Sequence, residues 1–245
     1  RIAQWVQEIH RDSPDKGYRR IRDDLDKYYH TPVNDKRTLR ICRGLGIQSV
    51  VKHAPHGCTR AASSPRQLAE NVLDRQFYAD RPNEKWLTDV TEFHYYTGTN
   101  MRKLYLSAIL DLCDRRIVSF IIRDTNDAAL VHRTLAQALE GNPGARPLLH
   151  SDRGSAYTTQ IFHDKLAAAG ITQSMSRVGK CIDNGPMEGF WGILKRERYY
   201  GRRFTSREQL VKMIQEYITY YNFHRLQRGL GVRTPMEVHD CLSAA

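Results

Sequence analysis

The sequence predicts an α/β protein, a mixed five-stranded sheet with helices, preceded by a small helical domain. Two observations carry this. Apolar residues recur at helical spacing through residues 1–50 and change to strand-length runs from Lys85 onward. Three such runs follow one another across short charged turns, after which helical and strand patterns alternate.

In the first part, Ile2 to His10 carries a stripe at positions 2, 5, 6 and 9. Ser13-Pro14 starts a new segment, and Gly17 to Tyr29 places Tyr18, Ile21, Leu25 and Tyr28 on one face. Asn34 or Asp35 caps a third helix that stops at Gly44, with Leu39 and Cys42 inward. Lys36, Arg37, Arg40 and Arg43 form its outer, basic face. A basic third helix behind two packing helices fits a DNA reader of helix-turn-helix type, and a solvated helix face has the same pattern. Residues 51–80 read as a linker. Within it His53, His56 and Cys58 lack the second ligand pair of a zinc site.

The second part runs Trp86 to Tyr95, Lys103 to Leu112 and Arg116 to Ile122 as an antiparallel meander. A helix over Asn126 to Leu139 follows, then a short strand from Pro147 to His150, a helix from Thr158 to Ala169, and a strand from Ile171 to Met175. Pro186 suits the first turn of a helix reaching Tyr199, and Thr205 with Glu208 reads as a capping box for a helix through Tyr221. The order β-β-β-α-β-α-β-α is that of an RNase H-like fold. The chain thus divides into a helix-turn-helix-like domain (1–50), a linker (51–80), an RNase H-like core (81–204) and a C-terminal helix with a basic and aromatic extension (205–245).

Composition narrows the partner. Among 245 residues, 38 Lys and Arg face 27 Asp and Glu, a net charge of +11. The excess divides nearly evenly between residues 1–80 and 81–245, which favours an extended polyanion over one small site. No apolar run approaches the ~18 residues of a membrane span, and no basic amphipathic anchor is present, so the reading is nucleic acid and no membrane, with double-stranded DNA the partner that a helix-turn-helix-type reader takes. Five scattered cysteines without a C-x-x-C pair suit a reducing, cytoplasmic setting.

Three carboxylates stand apart from the surface charge. Asp89 lies inside the first strand, Asp152 ends the fourth, and Glu188 sits in the first turn of a helix. In the meander order the first and fourth strands are neighbours, which brings Asp89 and Asp152 together with Glu188 above them. Carboxylates so close repel unless a cation is present, and all-oxygen donors suit magnesium or manganese. Two ions ~3.5–4 Å apart serve phosphoryl transfer. Taken singly, each residue also reads as a helix cap or a partner of the helix dipole. Asp183, Glu92 and Asp111 are nearby acids of the same types.

These residues also carry a family likeness. Between Asp89 and Asp152 lie 62 residues, and between Asp152 and Glu188 lie 35. The strings T-D-V-T-E-F, H-S-D-R-G-S-A-Y-T and S-M-S-R-V-G-K-C-I-D-N-G-P-M-E-G-F-W-G-I-L-K-R-E resemble bacterial insertion-sequence transposases of the IS-three family, within the DDE transposase and retroviral integrase superfamily. So do the ending Y-I-T-Y-Y-N-F-H-R-L-Q-R-G-L-G-V-R-T-P and the stretch G-Y-R-R-I at 17–21.

The resemblance implies an integrase-type catalytic core and a metal-dependent transposase in which Asp89, Asp152 and Glu188 bind two magnesium ions, with manganese as a substitute. Water attacks at an element end, and the freed 3′-hydroxyl attacks the other end and later the target, through figure-eight and circle intermediates. It also implies a homo-oligomer, at least a dimer, on element ends and target DNA, in a bacterial cytoplasm beside the nucleoid. Family members carry an upstream helix-turn-helix and leucine-zipper segment. This chain, which opens on Arg1, therefore reads as the downstream-frame product or a fragment of the fusion. An RNase H-like nuclease that only hydrolyses, or an inactive DNA-binding regulator, are the alternative readings.

Around the carboxylates, Lys195 follows Glu188 by seven residues, ~10.5 Å along one helix face, at reach of a phosphate. Arg177 and Lys180 lie in the preceding loop as phosphate contacts, and Asn184 orients that loop or touches DNA. His150 is either a support for Asp152 or a satisfied core histidine. Tyr217, Tyr220 and Tyr221 have helical spacing and are expected to pack, with Arg225, Arg228 and Arg233 interleaved.

Overall fold

A computed structural model describes residues 1–51 and 68–244, apart from the Cys181 side chain. His53, His56 and Cys58 lie outside the described residues. Three helices come first: α1 (Ile2–Asp12), α2 (Tyr18–Tyr29) and α3 (Asp35–Gly44). They share a small core of Val6, Ile9, Ile21, Leu25, Val33 and Cys42. Asn34 caps α3 by accepting the Arg37 amide hydrogen. Two inward positions differ from expectation. Thr38, not Leu39, is the fully buried partner of Cys42, because its hydroxyl bonds back to the Asn34 carbonyl. Tyr28 is exposed, and α2 instead buries Asp23 and Asp24 against arginine and lysine partners.

The sheet holds β1 (Lys85–Thr97), β2 (Asn100–Asp111), β3 (Ile117–Arg123), β4 (Leu148–Ser151) and β5 (Thr172–Met175) in the order β3-β2-β1-β4-β5. The first three strands are antiparallel, and β1, β4 and β5 run parallel. Strand alternation divides the core in two. Leu87 and Phe93 face α6 (Gly185–Leu194) and α7 (Arg207–Phe223), while Trp86 and Leu149 face α4 (Ala128–Gly141) and α5 (Gln160–Ala168). Both faces being covered explains why the central strands read as nearly continuous apolar runs.

The second half departs from the sequence reading at four places. Residues 70–79, expected within the linker, pack onto the core: Leu73 and Ala79 are buried, and the Leu73 amide donates to Ser174 Oγ. The helix expected to reach Tyr199 changes at Leu194 into a π turn, Lys195–Tyr199. Ser206 caps α7 in place of Thr205, and Gln209 rather than Glu208 answers back, to the Thr205 amide. A last helix, α8 (Pro235–Ser243), has its own capping box, Thr234 with Glu237. The string T-P-M-E carries that capping signal in the sequence.

The C-terminal aromatics pack, as their spacing implied: Tyr217 and Tyr221 are buried. Arg225 and Arg228 are held internally. Arg225 pairs with Glu197, and Arg228 pairs with Asp23 of α2 and Asp35 of α3. Lys27 of α2 reaches Glu237 of α8. The helical module is thus docked on the C-terminal part by ion pairs. Among the described residues, no helix is long and apolar enough to cross a membrane.

Candidate active site

β1 and β4 build the floor. Their parallel register pairs Lys85 with Leu148 and Leu87 with His150. Carrying that offset two residues further sets Asp89 beside Asp152, on the face covered by α6. Asp152 therefore sits just past the carboxyl end of β4, and Asp89 lies inside β1, just beyond the stretch that pairs with β4. Asp152 is held by its own loop: its Oδ1 accepts the Gly154 amide at 2.8 Å. A Cβ at Gly154 would lie 2.9 Å from that oxygen, which is why glycine follows in D-R-G. Arg153 fastens the same turn to the Ser176 carbonyl.

Asp89 is half-buried, and Trp191 of α6 donates its indole N–H to Asp89 Oδ2 at 2.9 Å. Glu188 lies one turn earlier on α6 and is exposed, as is Asp152. Burial pushes the Asp89 carboxyl up to about 7, and the negative charges of Asp152 and Glu188 push in the same direction. The protein around Asp152 raises its carboxyl as well. The buried Tyr157 hydroxyl, 3.3 Å from Thr88 Oγ1, feels both aspartates. Tyr157 comes from the loop before α5, where it lies in the string H-S-D-R-G-S-A-Y-T but follows no periodicity that would mark it singly.

The other predicted residues separate. Lys195 stacks its ammonium 5.0 Å from the Phe93 ring centroid. Burial lowers its affinity for a proton, and Glu92 and Asp89 oppose that. Arg177 grips Asp183 with two nitrogens, at 2.9 and 2.8 Å, so most of its guanidinium is engaged within the protein. Arg75 adds a third bond to Asp183, at 2.7 Å. Together they hold the Asp183 carboxyl well below the usual carboxylate range. Lys180 is exposed at the loop tip. Asn184, expected to orient the loop or to touch DNA, is buried away from any DNA contact, and its Nδ2 donates to the Thr88 carbonyl at 3.2 Å. It pins the start of α6 to β1, and its Oδ1 is buried with no hydrogen-bond partner. His150 is a core histidine, bonded on both ring nitrogens by Ser174 and Ser176, and burial lowers it to about 4. Lys36, Arg37, Arg40 and Arg43 all lie exposed along α3.

Oxygen donors alone make up the Asp89, Asp152 and Glu188 set, and their charges repel, so the chemistry fits a hard divalent cation. Among the described residues, no three acid, histidine or cysteine side chains are gathered closely enough to hold an ion as they stand.

Comparison with known proteins adds a consistent result. Residues 79–181 and 169–235 match family models described as integrase core domain, and residues 1–55 match an HTH-like domain. The chain is 38% identical to the InsK transposase of insertion sequence element IS150 from Escherichia coli, over 98% of this chain and 83% of that one. It is 30% identical to the transposase InsF of insertion sequence IS3A from the same species, over 91% and 76%. Among solved structures, the simian T-cell lymphotropic virus intasome, in complex with PP2A regulatory subunit B56 gamma, superposes with a TM-score of 0.56 at 19% identity. It covers 89% of this chain and 73% of that one, a likeness of fold.

Proposed function

The chain belongs to the IS3-type insertion-sequence transposases, and from that premise we propose that Asp89, Asp152 and Glu188 carry a magnesium-dependent cleavage and joining of DNA strands at the element ends. The observation that supports this most directly is the electrostatic one: three carboxylates from β1, the end of β4 and α6 act on one another where the pairing of β1 with β4 ends. A divalent cation bound there would stabilise the charge that develops on attacking and leaving oxygens. Asp89 is oriented by Trp191, while Asp152 and Glu188 are exposed beside it. Asn184 keeps α6 seated on β1, so Glu188 stays over the two aspartates. The product expected from end-bearing duplex and magnesium is a joined strand. Cleavage with no joined product would instead favour a hydrolytic nuclease.

DNA is held on two levels in this reading. The exposed basic face of α3 follows one duplex segment, and Lys180 with Lys195 takes phosphates beside the carboxylates. Lys195 stands half-buried over Phe93, and a bound phosphate would give its ammonium the counter-charge that the wall withholds. Lys195→Ala is expected to weaken end-DNA binding and to lower the slope of log K against log salt by ~0.9, the loss of one phosphate contact. An unchanged slope would remove Lys195 from the contact set. Two ends must be brought together, so the working form is at least a dimer on DNA, and the likeness to an intasome subunit agrees with that. A copy-out route through figure-eight and circle intermediates, in a bacterial cytoplasm, completes the proposal.

A further inference from the structure

Three of the strings that carry the family likeness meet at one buried side chain away from the aspartates. Glu197 closes L-K-R-E, Tyr217 and Tyr220 lie in Y-I-T-Y, Arg225 ends N-F-H-R, and Arg20 belongs to G-Y-R-R-I. The Glu197 side chain is 6% exposed. Its Oε1 accepts from Arg20 Nη1 at 2.8 Å and from Arg225 Nη2 at 2.8 Å. Its Oε2 accepts from the Tyr217 hydroxyl at 2.9 Å and from Arg225 Nε at 3.2 Å. Arg20 comes from α2 of the helical module, and it also reaches Asp15 at 3.0 Å and the Tyr220 hydroxyl at 2.8 Å. Arg198 closes the ring onto Asp15 at 2.6 Å.

The place of Glu197 in the chain makes this more than a docking contact. It lies in the π turn that continues α6, two residues beyond Lys195. Within that one turn, Lys195 faces Phe93 and the carboxylates, while Glu197 faces α2 and α7. No side chain caps the turn; the Tyr200 amide bonds back to the Lys195 carbonyl at 2.7 Å, and the Glu197 bonds tie the turn laterally. Segments of π geometry inside helices recur at functional sites. A buried carboxylate satisfied by two guanidinium groups and a hydroxyl has one good arrangement, and loss of a partner leaves charge exposed to low dielectric.

We propose that Glu197 is a positioning residue for strand cleavage and joining, setting the end of the catalytic helix and tying it through Arg20 to the helix-turn-helix-like module. The proposal rests on the assignment of Asp89, Asp152 and Glu188 as the reacting carboxylates. Through this tie, the seating of the module on DNA is felt at Lys195 and Glu188.

The test uses the full chain, magnesium, and a duplex bearing the terminal sequence of its own element. Arg20→Gln cuts the link from the module while Arg225 and Tyr217 still satisfy Glu197. Its kcat is expected to fall ~10-fold with KM for the duplex within ~2-fold, since the contact positions the reacting groups without touching DNA. Arg20→Lys, which can keep the ion pair to Glu197, is expected to recover most of that rate. Glu197→Gln should lose at least as much as Arg20→Gln. A kcat for Arg20→Gln equal to that of the unaltered chain would overturn the proposal. So would a fall in rate that only follows the folded fraction measured by thermal melting. Activity retained by Asp152→Asn would overturn the carboxylate assignment and the proposal with it, a result distinct from a flat Arg20 series.

Discussion

Asp152→Asn is expected to abolish both strand cleavage and strand joining, by at least ~1000-fold or about 4 kcal/mol of transition-state stabilisation, while the protein stays folded. The amide keeps the shape of the carboxylate, and its Oδ1 can still accept the Gly154 amide hydrogen that holds the turn. What it loses is the negative charge facing Asp89. The substitution also relieves repulsion on Asp89, whose carboxyl is pushed up by burial first and by Asp152 second. Duplex affinity should therefore be unchanged or slightly tighter, measured by salt-controlled titration. A variant that cleaves and joins at the unaltered rate would exclude Asp152 from the reaction.

The second large effect concerns Asp183, an acid that the sequence offered as a neighbour of the site rather than as part of it. Asp183 is fully buried and takes bonds from Arg177, Arg75 and the Arg177 amide. It ties residues 75 and 177 to the segment that starts α6. Asp183→Ala should cost about 2–3 kcal/mol, toward the lower side for a broken buried pair, because both arginines remain partly hydrated. For a chain of this size that is a melting decrease of ~5–10 °C. The pH dependence has a definite sign. The Asp183 carboxyl is held below its unfolded value by Arg177, so its stabilisation is complete above about pH 4 and is lost as pH falls through the lowered folded value. The melting difference between the two proteins should therefore be constant from pH 5 upward and shrink in acid. A difference that grew on acidification would contradict this assignment.

Local signals settled a large part of this protein. Apolar periodicity located the helices and strands, since a strand buried on both faces and a helix buried on one leave different spacings. Asn34 and Pro186 acted through their own backbone geometry, so their neighbourhoods were legible one residue at a time. Asp89 and Asp152 stood out because charged groups inside a strand or at its end are rare without a partner, and Glu188 joined them only as part of the set. Family strings then turned that pattern into a named chemistry.

Tertiary structure decided which charges face inward. Arg225 and Arg228, interleaved with the C-terminal aromatics in the sequence, are paired with Glu197, Asp23 and Asp35 across the fold. Asn184 and Arg177 looked like loop contacts, and one pins α6 while the other grips Asp183. The reason is distance along the chain. Arg20 meets Glu197 across 177 residues and Arg228 meets Asp23 across 205, and no local pattern records such a pairing. A net charge of +11 announced a polyanion, but only the folded chain separates the basic groups that hold the protein together from those left exposed.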